Sequence, residues 1–275
     1  MRRAAARAAG TAAIALVMVP ALFPLYWMVI SSLKGPQELQ TIPPTWWPRS
    51  PSLSAFTEVF DAVPFGAAFV NSLLLAGLAT ASVLVTSVLA GYVFAKCRFR
   101  GREALFWGVV ATMFLPPVVT LVPLYWMVSS LGLADTYLGV LLPWLANPFG
   151  VFLMRQFVAD VPDELLDAAR IDGAGELRIV WRVVTPLLKP AVVSLAIFSF
   201  VFYWNSFIWP LSILQDDAKF PVVLALSQLL SYSTSVQYQN VVMAGALIAS
   251  LPTIAVFLVA QRVFVASLSR TGVKG

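Results

Sequence analysis

The chain has 275 residues, 60% of them hydrophobic and 11% charged, with a net charge of +5 at pH 7, one cysteine and no histidine. A soluble domain carries nearer a quarter charged residues, so this composition excludes a water-facing globule. The lone Cys97 excludes an internal disulfide and argues against redox chemistry.

The apolar residues gather in uncharged runs at 11–33, 67–95, 104–134, 136–154, 191–215 and 241–261. Each is near or above the roughly 20 residues a helix needs to cross about 30 Å of hydrocarbon. None shows the alternation of a barrel strand. The fold class predicted is an all-α membrane protein with six transmembrane helices, at about 11–33, 67–95, 104–128, 136–154, 191–211 and 241–263. Residues 1–275 are read as a single transmembrane domain.

The first span follows Arg2, Arg3 and Arg7, as a signal peptide would. Its apolar core of about 23 residues exceeds the 7–15 of such a segment, so it is read as retained, kinked by Pro20 and Pro24. After it comes "PPTWWP" at 43–48, where Trp46 and Trp47 suit an interfacial belt. The second span carries Ser72, Ala76 and Thr80, then Ser87, Gly91 and Ala95, at four-residue spacing that lets helices pack closely. Lys96, Arg98, Arg100 and Arg102 follow it, and Arg155, Arg170, Arg178, Arg182 and Lys189 follow the fourth. Arg262, Arg270 and Lys274 close the chain, leaving only Lys34, Arg49 and Lys219 for the other side. The positive-inside rule therefore puts both termini and the loop at 160–190 in the cytoplasm. The basic charge reports topology and membrane lipid rather than a nucleic acid.

No run contains an ionisable residue, which argues against a proton-coupled carrier. There is no phosphate loop, metal-ligand cluster or Ser/His/Asp set. The chain is not read as an enzyme, and uphill transport through it would need power from another subunit.

The segment "DAARIDGAGELRIVWRVVTPLLKP", 167–190, is the polar exception. Pro162, Asp163 and Glu164 start a helix, with Leu165, Ala168 and Ala169 on one face and Asp163, Asp167 and Arg170 on another. Gly173 suits a left-handed C′ residue, and a second short helix runs over about 176–184 toward Pro186 and Pro190. Periodicity alone allows an amphipathic loop resting at the headgroups. The segment also resembles the cytoplasmic "EAA" loop of ABC-importer permease subunits. Asp167 stands for the leading Glu, and Ala168, Ala169, Asp172, Gly173, Ala174 and Pro186 match. Val180 holds an aromatic slot, Val183 an aliphatic one, and Thr185 replaces Leu. "FYWNSFIWPL" at 202–211 resembles a carbohydrate-permease signature, and the final "VKG" resembles the second permease of the maltose/glycerol-phosphate type.

The resemblance implies a type I ABC importer-like permease for a sugar or polyol. It implies a second permease, two copies of a cytoplasmic ATP-binding subunit and an extracytoplasmic solute-binding protein as partners, in a bacterial plasma membrane. ATP and Mg would be bound by the ATPase, with no cofactor in this chain. Asp167, Ala168, Ala169, Asp172, Gly173, Ala174, Val180, Val183 and Pro186 would then meet the ATPase. Asn147, Trp204, Asn205 and Ser206 mix aromatic and neutral hydrogen-bonding groups suited to a sugar path. Trp209 is read as another belt residue. The stretches 35–66 and 216–239 suit either a docked binding protein or plain connection, and the tail from 262 either disorder or contact with the ATPase. A permease for a non-sugar solute such as a phosphorylated glycerol, or a secondary carrier, are the alternative readings.

Overall fold

The computed structural model describes the backbone of residues 2–232 and 238–271 and the side chains of 16–231 and 238–259. Among the described residues every regular element is helical. α1 (Arg2–Ser32) is continuous through Pro20 and Pro24. α2 (Pro36–Leu39) and α3 (Ser54–Ala62) occupy the connection to α4 (Phe65–Lys96). The third run, predicted as one span, is instead broken. α5 (Arg102–Ala111), extended by one turn to Phe114, meets α6 (Pro117–Ser130) at 106°. Pro116 and Pro117 cause the break, because a residue before proline is driven out of the helical region: Leu115 has ψ 121° and Pro116 ψ 130°.

The fourth run is interrupted as well, with α7 (Tyr137–Leu141) and a tight turn over Leu142–Trp144 before α8 (Pro148–Ala159). The polar segment of the sequence forms α9 (Asp163–Ile171), α10 (Glu176–Ile179) and α11 (Thr185–Leu187). α12 (Lys189–Trp204) and α13 (Ile208–Ile213) share the fifth run. α14 (Val222–Tyr232) makes the stretch at 216–239 partly helical, and α15 (Gln239–Thr271) follows. Among the described residues, three helical segments are long and apolar enough to cross a membrane, Phe65–Lys96, Tyr137–Ala159 and Gln239–Val259, and up to five if each bent pair is one span. The terminal basic side chains and the final three residues lie outside the described residues.

Two compact units form, 1–66 with 225–251 and 67–224 with 252–275. In the first, the Ser52 amide donates to the Leu33 carbonyl at 3.0 Å and closes a loop beyond α1. Lys34, 2% exposed, donates to the Thr45 carbonyl and lies 4.7 Å from the Trp27 ring, which compensates a cation that would otherwise be costly to bury. Glu38 accepts from the Thr45 hydroxyl at 2.8 Å and the Arg49 amide at 3.0 Å. Trp46 joins Phe23 and Trp27 in an aromatic cluster, and Trp47 is exposed.

The second unit is built along α4. Gly91 packs against α8 so closely that a Cβ would stand 2.6 Å from Met154 Cβ and 2.9 Å from the Arg155 amide nitrogen. One turn earlier, Ser87 fills the space beside Gly150. The Leu145 carbonyl, freed by the break before Pro148, accepts from the Ser82 hydroxyl at 2.7 Å and the Thr86 hydroxyl at 3.1 Å. The small residues of the second run thus do the packing predicted of them, with Ser82 and Thr86 adding polar contacts.

At the start of α4, Asn71 donates to the Ala218 and Phe220 carbonyls at 2.9 and 3.1 Å and accepts from the Tyr137 hydroxyl at 2.8 Å. Beside them Asp135, left-handed at φ 54°, accepts from the Gln215 and Asp216 amides and, at 2.6 Å, from Lys219. These bonds, the Gln215 amide foremost, hold the Asp135 carboxyl down at about 2.

Two outcomes follow from this packing. Gly91→Ala should lower the thermal midpoint of the solubilised protein, by overpacking worth about 1–3 kcal/mol, whereas Gly77→Ala should not lower it, since a Cβ there meets nothing within 4 Å. Because the folded Asp135 is the more acidic, its contribution is present above the ordinary aspartate range and is lost only as pH falls toward about 2. Amide protection at 215–216, read by hydrogen exchange, should therefore persist at pH ~5 and drop roughly tenfold in Asp135→Asn.

Candidate coupling surface and translocation site

Asp163 and Glu164 occupy the first turn of α9, and Pro162 sits just ahead of it at the cap, extended at ψ 134°. The helix ends as the sequence predicts. Gly173 is left-handed at φ 79°, its amide donates to the Arg170 carbonyl, and the Ala174 amide reaches back to the Ala169 carbonyl, both at 3.0 Å. This paired closure satisfies carbonyls that the helix end leaves open. A Cβ at Gly173 would meet nothing within 4 Å, so the glycine is required by its backbone angle and the corner's outer space is empty.

Leu166, 1% exposed, is the buried residue of α9, and Leu165 on the predicted apolar face is 45% exposed. Asp167, Ala168, Asp172, Gly173 and Pro186 are also exposed, while Ala169, Ala174 and Val183 are half-buried. Val180 is different. It is 2% exposed and belongs to this chain's own core, beside Ile179 and Val184. A single π turn over Val180–Val184 links α10 to α11, and the Thr185 hydroxyl donates to the Val180 carbonyl at 2.8 Å. Thr185 therefore takes up a backbone acceptor within the widened turn.

Sequence reasoning missed Ile171 and Leu177, which stand 86% and 66% exposed on either side of the glycine corner. The available signal was an aliphatic residue on each flank of "DGAGE" with no helical face to bury it.

Asp167 pairs within the loop, with Arg170 at 2.8 Å, rather than standing free. Arg170 also meets Glu176 at 2.9 Å, and the Tyr92 hydroxyl of α4 lies between Glu176 and Arg170. Hydrogen bonds from Arg170 and then Tyr92 hold the Glu176 carboxyl below its ordinary range, and bonds to Glu176 and Asp167 raise Arg170 further. Lys96 donates to the Val161 carbonyl at 2.6 Å and to Asp163 at 2.8 Å, which lowers the Asp163 carboxyl.

The four candidate path residues lie at two helix breaks. Asn147 caps α8, accepting from the Gly150 amide at 3.2 Å, and meets the Tyr203 hydroxyl. Tyr203 also reaches the Trp144 carbonyl at 3.5 Å. Asn205 ends α12, with its side-chain amide donating to the Val201 carbonyl at 2.8 Å, and remains exposed, while Ser206 is half-buried. Trp204 is 1% exposed against Phe200 and Phe69, so its ring is packed inside this chain. Trp209 is not a belt residue: it is 8% exposed and donates to the Val140 carbonyl at 3.0 Å. No group of three or more acidic, cysteine or histidine residues placed to hold a metal occurs among the described residues.

The arrangement is a polar break inside apolar helices, joined to a shaped loop at one end of the unit. The chain is 33% identical over 253 residues to the sn-glycerol-3-phosphate transport system permease protein UgpE of Yersinia enterocolitica, covering 90% of each chain. It is 35% identical over 258 residues to the arabinooligosaccharides transport system permease protein AraQ of Bacillus subtilis, covering 92% of this chain and 91% of that one. Its fold matches a chain in the crystal structure of a bacterial ABC transporter that imports the acidic polysaccharide alginate. The TM-score is 0.81 at 24% identity, over 92% of this chain and 94% of that one. Residues 87–270 match the family model described as "binding-protein-dependent transport system inner membrane component". By both the family model and the curated relatives, the chain belongs to that family, as a transport permease and not an enzyme.

Proposed function

We propose that this chain is one of two permease subunits of an ATP-driven importer for a neutral sugar or polyol. In this reading residues 1–275 are one domain of six spans in the bacterial plasma membrane, with both termini cytoplasmic. A pair of ATPases, which bind the ATP and Mg, grips the loop at 163–186, and an extracytoplasmic binding protein delivers the solute.

The observation that carries the reading is the loop's outer surface. Leu165, Ile171 and Leu177 are apolar yet exposed around an empty Gly173 corner. Exposed apolar residues clustered on a rigid polar support mark a protein interface. Asp167, Ala168 and Asp172 border it, with Ala169 and Ala174 half-buried. Val183 and Pro186 stand further along, and Val180 supports the surface from beneath.

The solute class rests on what the path offers. Asn147, Asn205 and Ser206 present neutral hydrogen-bonding groups at the two breaks. The uncharged runs in which Asn147 and Asn205 lie supply no cation for a phosphate. That favours a sugar over a phosphorylated glycerol, although a relative is named for the latter. Sugars suit such neutral donors and acceptors.

Ile171→Asp should insert normally, because that side chain touches little in this chain, but co-purify with the ATPase in roughly tenfold lower yield, as loss of an interface anchor does. Unchanged yield would remove the loop from the interface. In proteoliposomes bearing the whole complex, Asn205→Leu should slow uptake of a neutral sugar while leaving ATPase binding intact. Uptake of glycerol phosphate in preference to sugars would reverse the assignment of solute.

A further inference from the structure

Resting on the coupling role proposed above, we infer that α4 is driven by the loop alongside α8 and α12, and that Tyr92 and Lys96 are the positioning residues that carry the loop's motion into it.

Lys96 is the last residue of α4, with its side chain 9% exposed beneath the elbow between α8 and α9. Its ammonium donates to the Ala159 carbonyl at 3.3 Å and the Val161 carbonyl at 2.6 Å, so it serves the end of α8 as a cation serves any helix C-terminus. The same nitrogen meets Asp163, in the first turn of α9. One cation thus fixes three successive parts of the elbow.

Tyr92 lies one turn earlier on the same face of α4, 2% exposed. Its hydroxyl donates to Glu176, at the start of α10, and accepts from Arg170, in the last turn of α9, at 3.3 Å. The two anchors sit about 6 Å apart along the helix axis. A single contact would let the loop pivot on α4, whereas two in line resist rotation.

The upper contacts point the same way. α8, which feeds the loop, is clasped to α4 by the Gly91 approach, by Ser87 beside Gly150, and by the two hydroxyls on the Leu145 carbonyl. Tilting the loop therefore either carries α4 with it or breaks the Tyr92 and Lys96 contacts. On the other side the loop joins α12 through a bend of 87°, so the chain connection there is an elbow rather than a continuous rod.

Tyr92→Phe isolates this link. It deletes only the hydroxyl, leaving Arg170 paired with Glu176 and Asp167, so the loop keeps its internal shape. Lys96→Met removes the second anchor, and Asp163, with its carboxylate 75% exposed, is left to water.

The test uses the complete transporter in proteoliposomes, reading solute moved per ATP hydrolysed together with ATPase activity stimulated by the binding protein. In Tyr92→Phe/Lys96→Met, stimulated ATPase should remain while solute per ATP falls about fivefold, within the range by which residues on a coupling path alter it. Lys96→Arg, which preserves donors to both carbonyls, should restore most of the Lys96 share. A fluorophore on Leu78→Cys in a Cys97→Ser background should report ATP-driven movement of α4 that the double variant loses. An unchanged ratio would overturn the inference. So would a parallel fall in ATPase, transport and assembled complex, which would make the two residues staples of the fold alone. A wild-type complex without stimulated ATPase would overturn the importer reading and this inference with it.

Discussion

A carbonyl freed inside hydrocarbon must be given a donor, and the larger unit of this chain is organised around that requirement. Prolines at 116, 117, 143, 148, 186, 190 and 210 punctuate its helices. Each break releases backbone acceptors that need a new donor. The Leu145 carbonyl is served by Ser82 and Thr86, Trp144 by Tyr203, Val140 by Trp209, and Val180 by Thr185. The donors come from neighbouring helices or from the next turn. Hydroxyls and an indole thereby tie the broken helices to each other at the points where they are weakest.

The charges obey a complementary rule. Within the runs there are none, so the energetic cost of burying an ion is avoided where it would be greatest. At one end of α4 they form the Lys96–Asp163 and Arg170–Asp167–Glu176 set, and near its other end the Asp135–Lys219 clamp. Each set straddles a turn between elements. Exposed single pairs contribute little to stability. Lys96 and the Asp135–Lys219 clamp, however, also bond backbone carbonyls or amides, and Arg170 bonds two carboxylates and the Tyr92 hydroxyl. That sharing fixes direction as well as distance.

Much of this was legible in the sequence, and what was not shares a physical cause. The all-helical, apolar character follows from the long uncharged runs, the Gly173 corner from one glycine after a periodic segment, and the close packing of α4 from small residues every fourth position. Local rules reach those features because each lies within a few residues of its cause. The bends at 115–116 and 145–147 had a local signal in their prolines, and only run length argued against reading it. Asp135 with Lys219, Asn71 with Ala218, and Tyr92 with Glu176 join residues 84, 147 and 84 positions apart. Nothing in either partner's neighbourhood announces the other. Trp204 and Trp209 show the reverse case, where a residue type suited to a solute path or a lipid belt also suits a core, and only geometry separates the two.

The loop's form and its mounting rest on different atoms. Arg170 closes the corner by binding Asp167 and Glu176 from inside the segment, and the Gly173 backbone completes it, so neither depends on a span for its shape. Among the described residues, polar attachment to α4 runs through a hydroxyl and an ammonium one turn apart. The segment is thus a module with a narrow socket. Substitutions in the helices below it can therefore accumulate without disturbing the loop's own geometry.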